Sequence, residues 1–247
     1  MSQAINRKKK KSHMIKVAMV GDPQIGKTSL MVKYVEGKFN EDYIQTLGVN
    51  FMEKTIELKT AEITFSIWDL GGQREYMEMM PLVCNEAVAL LFMFDLSRPA
   101  TLASVRQWYM EARKLNQTAT AFLIGTKYDY FATMQLSHKQ EMTKQARKFA
   151  KAMKASLVFC SASKSINIAK IFKIVLASRF RLPCKVANIK KVGEPILEYV
   201  EPPPKKTSSK SSSLKATRKS SSLKSATGKS SSMKSASSKS SSLKSTK

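Results

Sequence analysis

Apolar positions along this chain follow two alternating rhythms. Short, nearly unbroken apolar runs (IKVAMV at 15–20, ITFSIW at 63–68, AVALLFMF at 87–94, AFLIG at 121–125) are separated by stretches in which apolar residues return every three or four positions. The first rhythm predicts strands buried on both faces, and the second predicts amphipathic helices laid over them. Strands are accordingly expected at 15–20, 49–58, 62–69, 88–95, 121–125 and 156–160, with helices at 27–36, 74–84, 101–116, 138–153 and 166–180. This alternation predicts a doubly wound α/β domain built on a six-stranded, mostly parallel sheet. One strand should run antiparallel, that at 49–58, because the link around Thr60 and Ala61 allows a hairpin but is too short for a crossover.

The rhythms fade toward both ends, which divides the chain into a basic arm at 1–13, a domain at 14–181, a Pro-containing arm at 182–204 and a tail at 205–247. The segment VGEPILEYV at 192–200 keeps apolar character and is expected to pack on the domain. The tail holds 11 Lys, 1 Arg and 19 Ser with no acidic residue, arranged around four copies of Lys-Ser-Ser-Ser-(Leu or Met)-Lys. It has too little apolar surface to offset the entropy of ordering, so it should be disordered.

Charge follows the same division. The tail carries +12 of the formal +25 and residues 7–11 carry +5, leaving +8 for residues 12–204. The folded part is thus only moderately basic, whereas the tail is suited to tethering on an acidic surface such as tubulin tails, anionic lipid or nucleic acid. Its lack of aromatics argues against base-stacking recognition of single strands. Cys84, Cys160 and Cys184 have no metal-ligand spacing and are too few for a disulfide framework, which suggests a reduced, cytoplasmic setting. The longest apolar run has eight residues, short of the ~20 that span a bilayer. Ser2 and the final Ser-Thr-Lys fit no myristoylation or prenylation signal, so no lipid anchor is expected.

Chemistry enters at the end of the first strand. Gly21, Asp22, Pro23, Gln24, Ile25, Gly26, Lys27 and Thr28 fit GxxxxGK[ST], and Ser29 continues into a helix. A glycine-rich turn between strand and helix points backbone N–H groups at anionic phosphate. Lys27 is placed to reach the outer phosphates and Thr28 to hold Mg²⁺. The strand ITFSIW then delivers Asp69, followed by Gly71, Gly72 and Gln73, which puts a carboxylate beside Mg²⁺, a close-approaching N–H at the third phosphate and an amide where an attacking water needs orienting. After AFLIG come Thr126, Lys127, Tyr128 and Asp129. A carboxylate only accepts hydrogen bonds, so Asp129 suits the two adjacent donors of guanine, a pair that adenine lacks.

Over residues 12–180 the pattern resembles the Ras superfamily of small GTPases, which implies a doubly wound P-loop GTPase domain loading GTP or GDP with Mg²⁺. The resemblance implies that Thr46 in QTLGVNF is the switch threonine on Mg²⁺, that Phe39 packs on the base, and that Ala162, Ser163 and Lys164 form the base-edge loop. Gln73, Lys27 and Thr46 would carry catalysis, and Thr28, Thr46 and Asp69 would hold the metal. Within the superfamily, QTLGVNFMEKTI, FSIWDLGGQRE, GTKYD, KAMKASLVFCS and VGEPILEY look like the septum-promoting, mitotic-exit GTPases. That likeness implies a monomer at spindle poles or a centrosome-like cytoskeletal site, a two-part GTPase-activating complex and a protein-kinase effector. Three residues depart from the pattern: Thr126 replaces Asn and shortens a contact to base and phosphate loop, Ser163 replaces Ala, and Pro23 removes an N–H and adds bulk near the third phosphate. No arginine is evident in cis for the transition state. A slowly turning-over, GTP-loaded scaffold is the competing reading that Pro23 raises.

Overall fold

A computed structural model describes residues 10–42 and 44–201. The first nine residues and the Lys/Ser repeats, with the expectations attached to them, lie outside that range.

The described chain runs β1 (Lys11–Val20), α1 (Lys27–Glu36), β2 (Val49–Glu57), β3 (Ala61–Leu70), a 3-10 turn (Arg74–Met79), α2 (Met80–Cys84), β4 (Ala89–Asp95), α3 (Pro99–Leu115), β5 (Thr120–Thr126), α4 (Tyr128–Phe131), α5 (Leu136–Met153), β6 (Ser156–Phe159), α6 (Ile168–Phe180) and β7 (Leu197–Glu198). The strands form one sheet in the order β2-β3-β1-β4-β5-β6-β7. Contacts among β3, β1, β4, β5 and β6 are parallel, and β2 pairs antiparallel with β3 as the short link requires.

Alternation along the strands builds a core on each side. Ala18, Val20, Leu90, Phe92, Phe94, Leu123 and Phe159 face α2, α3 and α5, whereas Val17, Met19, Leu91, Met93, Phe122, Ile124 and Val158 face α1 and α6. Every side chain of β4 is buried, which accounts for its unbroken apolar run. The parallel strands end together, and their carboxyl ends carry Val20, Asp69, Asp95 and Thr126, so the loops after them meet at one edge where such sheets place their ligands.

Besides the short extra helix α4, three details differ from the sequence reading. The sheet has seven strands instead of six, because Leu197–Glu198 pairs antiparallel with β6 at Val158 and Leu157. A two-residue strand is too short to show a period. β1 begins at Lys11, inside the stretch read as a basic arm, since backbone pairing with β3 continues from Met19 back to Lys11 whatever the side chains are. The helix expected at 74–84 is divided between the 3-10 turn and α2, because Pro81 has no N–H and its ring opposes the carbonyl four residues earlier; Pro is accepted only in the first turn of α2.

Candidate functional site

Gly26 starts the site. Its φ of 88° is left-handed, which glycine adopts without strain, and it turns the chain from the loop after β1 directly into α1. The amino end of α1 thereby opens onto a cleft of about 770 Å³, within the usual range for a small-molecule site. The residues of the loop from Pro23 to Ser29 line this cleft, along with Phe39 and Thr46 from the 37–48 segment, Gly72 and Gln73 after β3, Thr126, Lys127 and Asp129 after β5, and Cys160, Ala162 and Ser163 after β6. Gly21, Asp22 and Asp69 do not line it. Lys164 is exposed and does not line the cleft; its backbone N–H is tied to Ser161 Oγ at 3.1 Å.

The inner end is built around opposite charges. Lys27 is 5% exposed and its ammonium curls over the loop, donating to the carbonyls of Gly21 at 3.0 Å and Asp22 at 2.9 Å. Asp69 is fully buried, and its Oδ2 accepts from the hydroxyl of Thr28. The Thr46 hydroxyl meets that of Thr28 at 2.8 Å, so three oxygen-bearing side chains from α1, the 37–48 segment and β3 share one point. Burial pushes the Asp69 carboxyl up and the Lys27 ammonium down, and in each case attraction to the other works against the shift.

These residues suit magnesium. Oδ1 of Asp69 is buried without a hydrogen-bond partner, an unsatisfied hard oxygen beside two hydroxyls. Among the described residues no three His, Cys, Asp or Glu side chains cluster as an all-protein metal cage. One carboxylate and two hydroxyls leave coordination to be completed by water and by phosphate, which is how Mg²⁺ is usually held. Thr28, Thr46 and Asp69 would hold it.

Gly72 closes the end of the cleft beside the loop after β1. A Cβ added to it would lie 2.3 Å from the backbone N of Pro23 and 2.6 Å from the carbonyl O of Asp22, so only glycine can come this close to the loop. Gln73 follows in extended conformation and faces the same end of the cleft.

At the other end of the cleft, Asp129 accepts from the Ser163 hydroxyl at 3.0 Å, and Ser163 and Ser161 hydroxyls lie 3.0 Å apart. Thr126, replacing the expected Asn, is buried with its hydroxyl within hydrogen-bond reach of the carbonyls of Ile25 and Phe94. The shorter side chain at this position thus still reaches the phosphate loop. Lys127, left-handed at φ 56°, donates to the carbonyl of Gln24 at 3.0 Å and thereby also holds the loop. Cys160 lies at the floor; burial first, then the nearby Asp129 charge, pushes its thiol up.

Three further residues hold the phosphate loop from behind and were missed in the sequence. Arg98 donates to the carbonyls of Pro23 at 3.2 Å and Gln24 at 2.9 Å while pairing with the buried Asp95 at 3.0 Å. Lys127 pairs with the same carboxylate at 2.9 Å. Trp108 on α3 donates from Nε1 to Asp22 at 2.8 Å. Asp95 ends an apolar strand as Asp69 does, a signal that was available; Arg98 and Trp108 gave none. Arg98 binds the loop's carbonyls and does not line the cleft.

A sequence profile described as the Ras family matches residues 16–180. Septum-promoting GTP-binding protein 1 of Schizosaccharomyces pombe is 64% identical over 193 residues, covering 78% of this chain and 98% of that protein. The Ras-related protein Rab-21 of Geodia cydonium is 28% identical over 168 residues, or 68% of this chain and 71% of the relative. Ras-related protein Rab-22A of Homo sapiens is 28% identical over 181 residues, 73% of this chain and 89% of the relative.

Proposed function

We propose a function from one premise: the chain belongs to the Ras family. Members of that family bind GTP and GDP with Mg²⁺, hydrolyse GTP and work with regulators and effectors, and this chain is a small GTPase acting as a switch in septation control. The observation that carries its chemistry is the convergence of Lys27, Thr28, Thr46 and Asp69 at one end of a cleft whose other end presents Asp129.

Bound Mg²⁺ would neutralise charge on the outer phosphates of GTP. Lys27 would exchange its two loop carbonyls for phosphate oxygens, regaining a full countercharge for its buried ammonium. Loop N–H groups ahead of α1 hold the phosphate chain, Gln73 orients the attacking water, and Asp129 selects guanine. Thr46 and the Gly72 N–H hold their segments only while the third phosphate is present, so hydrolysis releases both. Arg98 is taken up by Asp95 and by loop carbonyls, which supports a transition-state arginine supplied in trans by a GTPase-activating complex, for a gain of roughly 10³ to 10⁵ in rate.

The finer reading is that the GTP form recruits a protein kinase at a spindle-pole or centrosome-like structure, with the basic tail tethering the protein to an acidic surface. Support comes from the name of the 64% identical relative and from the tail's +12 charge without an acid. Single-turnover GTP cleavage, alone and with candidate activators, tests the switch; absence of cleavage in both would sink it. Affinity capture on Gln73→Leu protein should yield a kinase, and deletion of 205–247 should delocalise the protein without changing GTP affinity. The competing scaffold reading draws on Pro23, which lacks the loop N–H and is packed against Gly72. GTP persisting in freshly purified protein would favour it, and GDP would favour the switch.

A further inference from the structure

The segment at 185–200 adds nothing to the phosphate end of the cleft, yet it is bonded firmly behind the base end. Ile189 and Leu197 exchange backbone hydrogen bonds of 2.9 and 3.0 Å, so the segment folds back on itself. Leu197 and Glu198 then pair with β6, and the Ile196 carbonyl accepts from the N–H of Phe159 at 2.8 Å. Ile196 and Leu197 are fully buried, one in each of the two cores.

Two side chains embedded in the base-recognition loops hold this segment. Tyr128 stands between Lys127 and Asp129, is 7% exposed, and donates its hydroxyl to the Gly193 carbonyl at 2.6 Å. Asn167 ends the loop that carries Ala162 and Ser163 and is 6% exposed; its Nδ2 donates to the carbonyls of Phe159 at 2.8 Å and Pro195 at 3.1 Å. The two loops are also joined to each other, Tyr128 N–H to Cys160 carbonyl at 3.0 Å. Neither Tyr128 nor Asn167 lines the cleft. Farther off, Arg147 on α5 pairs with Glu198 at 2.7 Å and donates to the Lys190 carbonyl.

We infer that the 185–200 segment is a buttress for guanine recognition: held by Tyr128, Asn167 and Arg147, it fixes Asp129 and Ser163 at the spacing the base edge needs and so prolongs nucleotide residence. The inference rests on the cleft being a guanine-nucleotide site. Its physical basis is that recognition groups are only as well placed as the residues that lock them, and that loosening such support acts mainly on dissociation. Tyr128 and Asn167 are thus positioning residues. A mere cover over β6 would also be buried, but its far end would have no influence on the base.

The experiment uses the full chain loaded with a fluorescent GDP and follows release into excess GDP, for the parent and for Tyr128→Phe, Asn167→Gly and Arg147→Ala. Glycine at 167 keeps the left-handed backbone (φ 59°) without strain. Tyr128→Phe and Asn167→Gly should each speed release about three- to ten-fold, the equivalent of one to two hydrogen bonds, and Arg147→Ala about two- to three-fold. Single-turnover hydrolysis of GTP already bound should stay within about two-fold of the parent in all three, since the phosphate end is untouched. Release from Arg147→Ala at the parent's rate would overturn the buttress, as would hydrolysis falling in step with residence. Failure of the parent itself to take up guanine nucleotide would instead refute the reading of the cleft.

Discussion

The hydroxyl of Ser163 donates to Oδ2 of Asp129 across 3.0 Å, linking the loop after β6 to the residue proposed to read the base edge. An ionised carboxylate has about four lone-pair positions, so two guanine donors and one serine can be accommodated together. Ser163 therefore orients Asp129 and does not compete with the base. Ser163→Ala should weaken GDP binding about three- to ten-fold, the loss of one hydrogen bond of about 1 kcal/mol, and leave ADP binding negligible. Calorimetric titration of both nucleotides checks this, and tighter GDP binding by the alanine variant would show that the hydroxyl blocks the base.

Gly72 is the second test, because its approach to Pro23 leaves no room for a methyl group. In Gly72→Ala the new Cβ would meet backbone atoms of Pro23 and Asp22 at 2.3–2.6 Å, and backbone yields less readily than a side chain. The 71–73 segment must stand off from the phosphate loop, carrying Gln73 with it. Single-turnover hydrolysis should fall by about 10- to 100-fold, as misplacement by an ångström does, whereas GDP affinity stays within about three-fold. Rapid-quench measurement on preloaded protein separates the two, and hydrolysis at the parent rate would show that Gly72 is a turn and nothing more.

The cysteines give a test that needs no nucleotide. Burial pushes the Cys84 thiol up to about 11, with the charges of Lys16 and Arg113 only partly opposing it, and burial pushes Cys160 up as well. Near pH 7.5 fewer than about one Cys84 thiol in a thousand is ionised. Alkylation of the folded protein with iodoacetamide should label Cys184, the only one of the three that is not buried, and spare the others until the chain is unfolded. Mass spectrometry of the tryptic peptides reads the outcome; early labelling of Cys160 would mean the cleft floor opens.

How much of this site was legible depends on whether a residue's role is set by its neighbours in sequence or by distant contacts. The phosphate loop was readable because strand, glycine turn, Lys27, Thr28 and helix are contiguous, so their geometry is fixed locally. Asp69 and Asp129 were readable for the same reason, one at the end of an apolar strand and the other three residues beyond one. Trp108 and Asp22 are 86 positions apart and Arg98 and Gln24 are 74 apart, so their contacts follow from the packing of α3 on β4, the strand next to β1, and not from any spacing. Nothing local to Tyr128 or Asn167 signals their role, because the segment they hold returns from 28 or more residues away. β7 was invisible as a strand, yet the apolar run around it was enough to predict that the chain comes back to the domain.

Asp95 supplies the pH dependence. Burial alone would raise its carboxyl, but hydrogen bonds from Lys127 and Ser97 together with the Lys127 charge outweigh burial and hold it below its ordinary value of 3.8. A carboxyl whose folded value is depressed adds stability that is complete above the unfolded value and is lost as pH falls through the folded one. The contribution should therefore be constant from neutral pH down to about 4.5 and fade below about 4. In Asp95→Asn, Arg98 and Lys127 lose their shared countercharge but remain part-exposed, so the loss is limited to about 1–2 kcal/mol, or roughly 3–8 °C in Tm. Thermal unfolding of parent and variant across pH 7 to 2.5 should show that gap at neutral pH and its closure at the acid end. A gap that keeps its size down to pH 2.5 would mean that Asp95 acts through packing, and that its charge does not secure the phosphate loop.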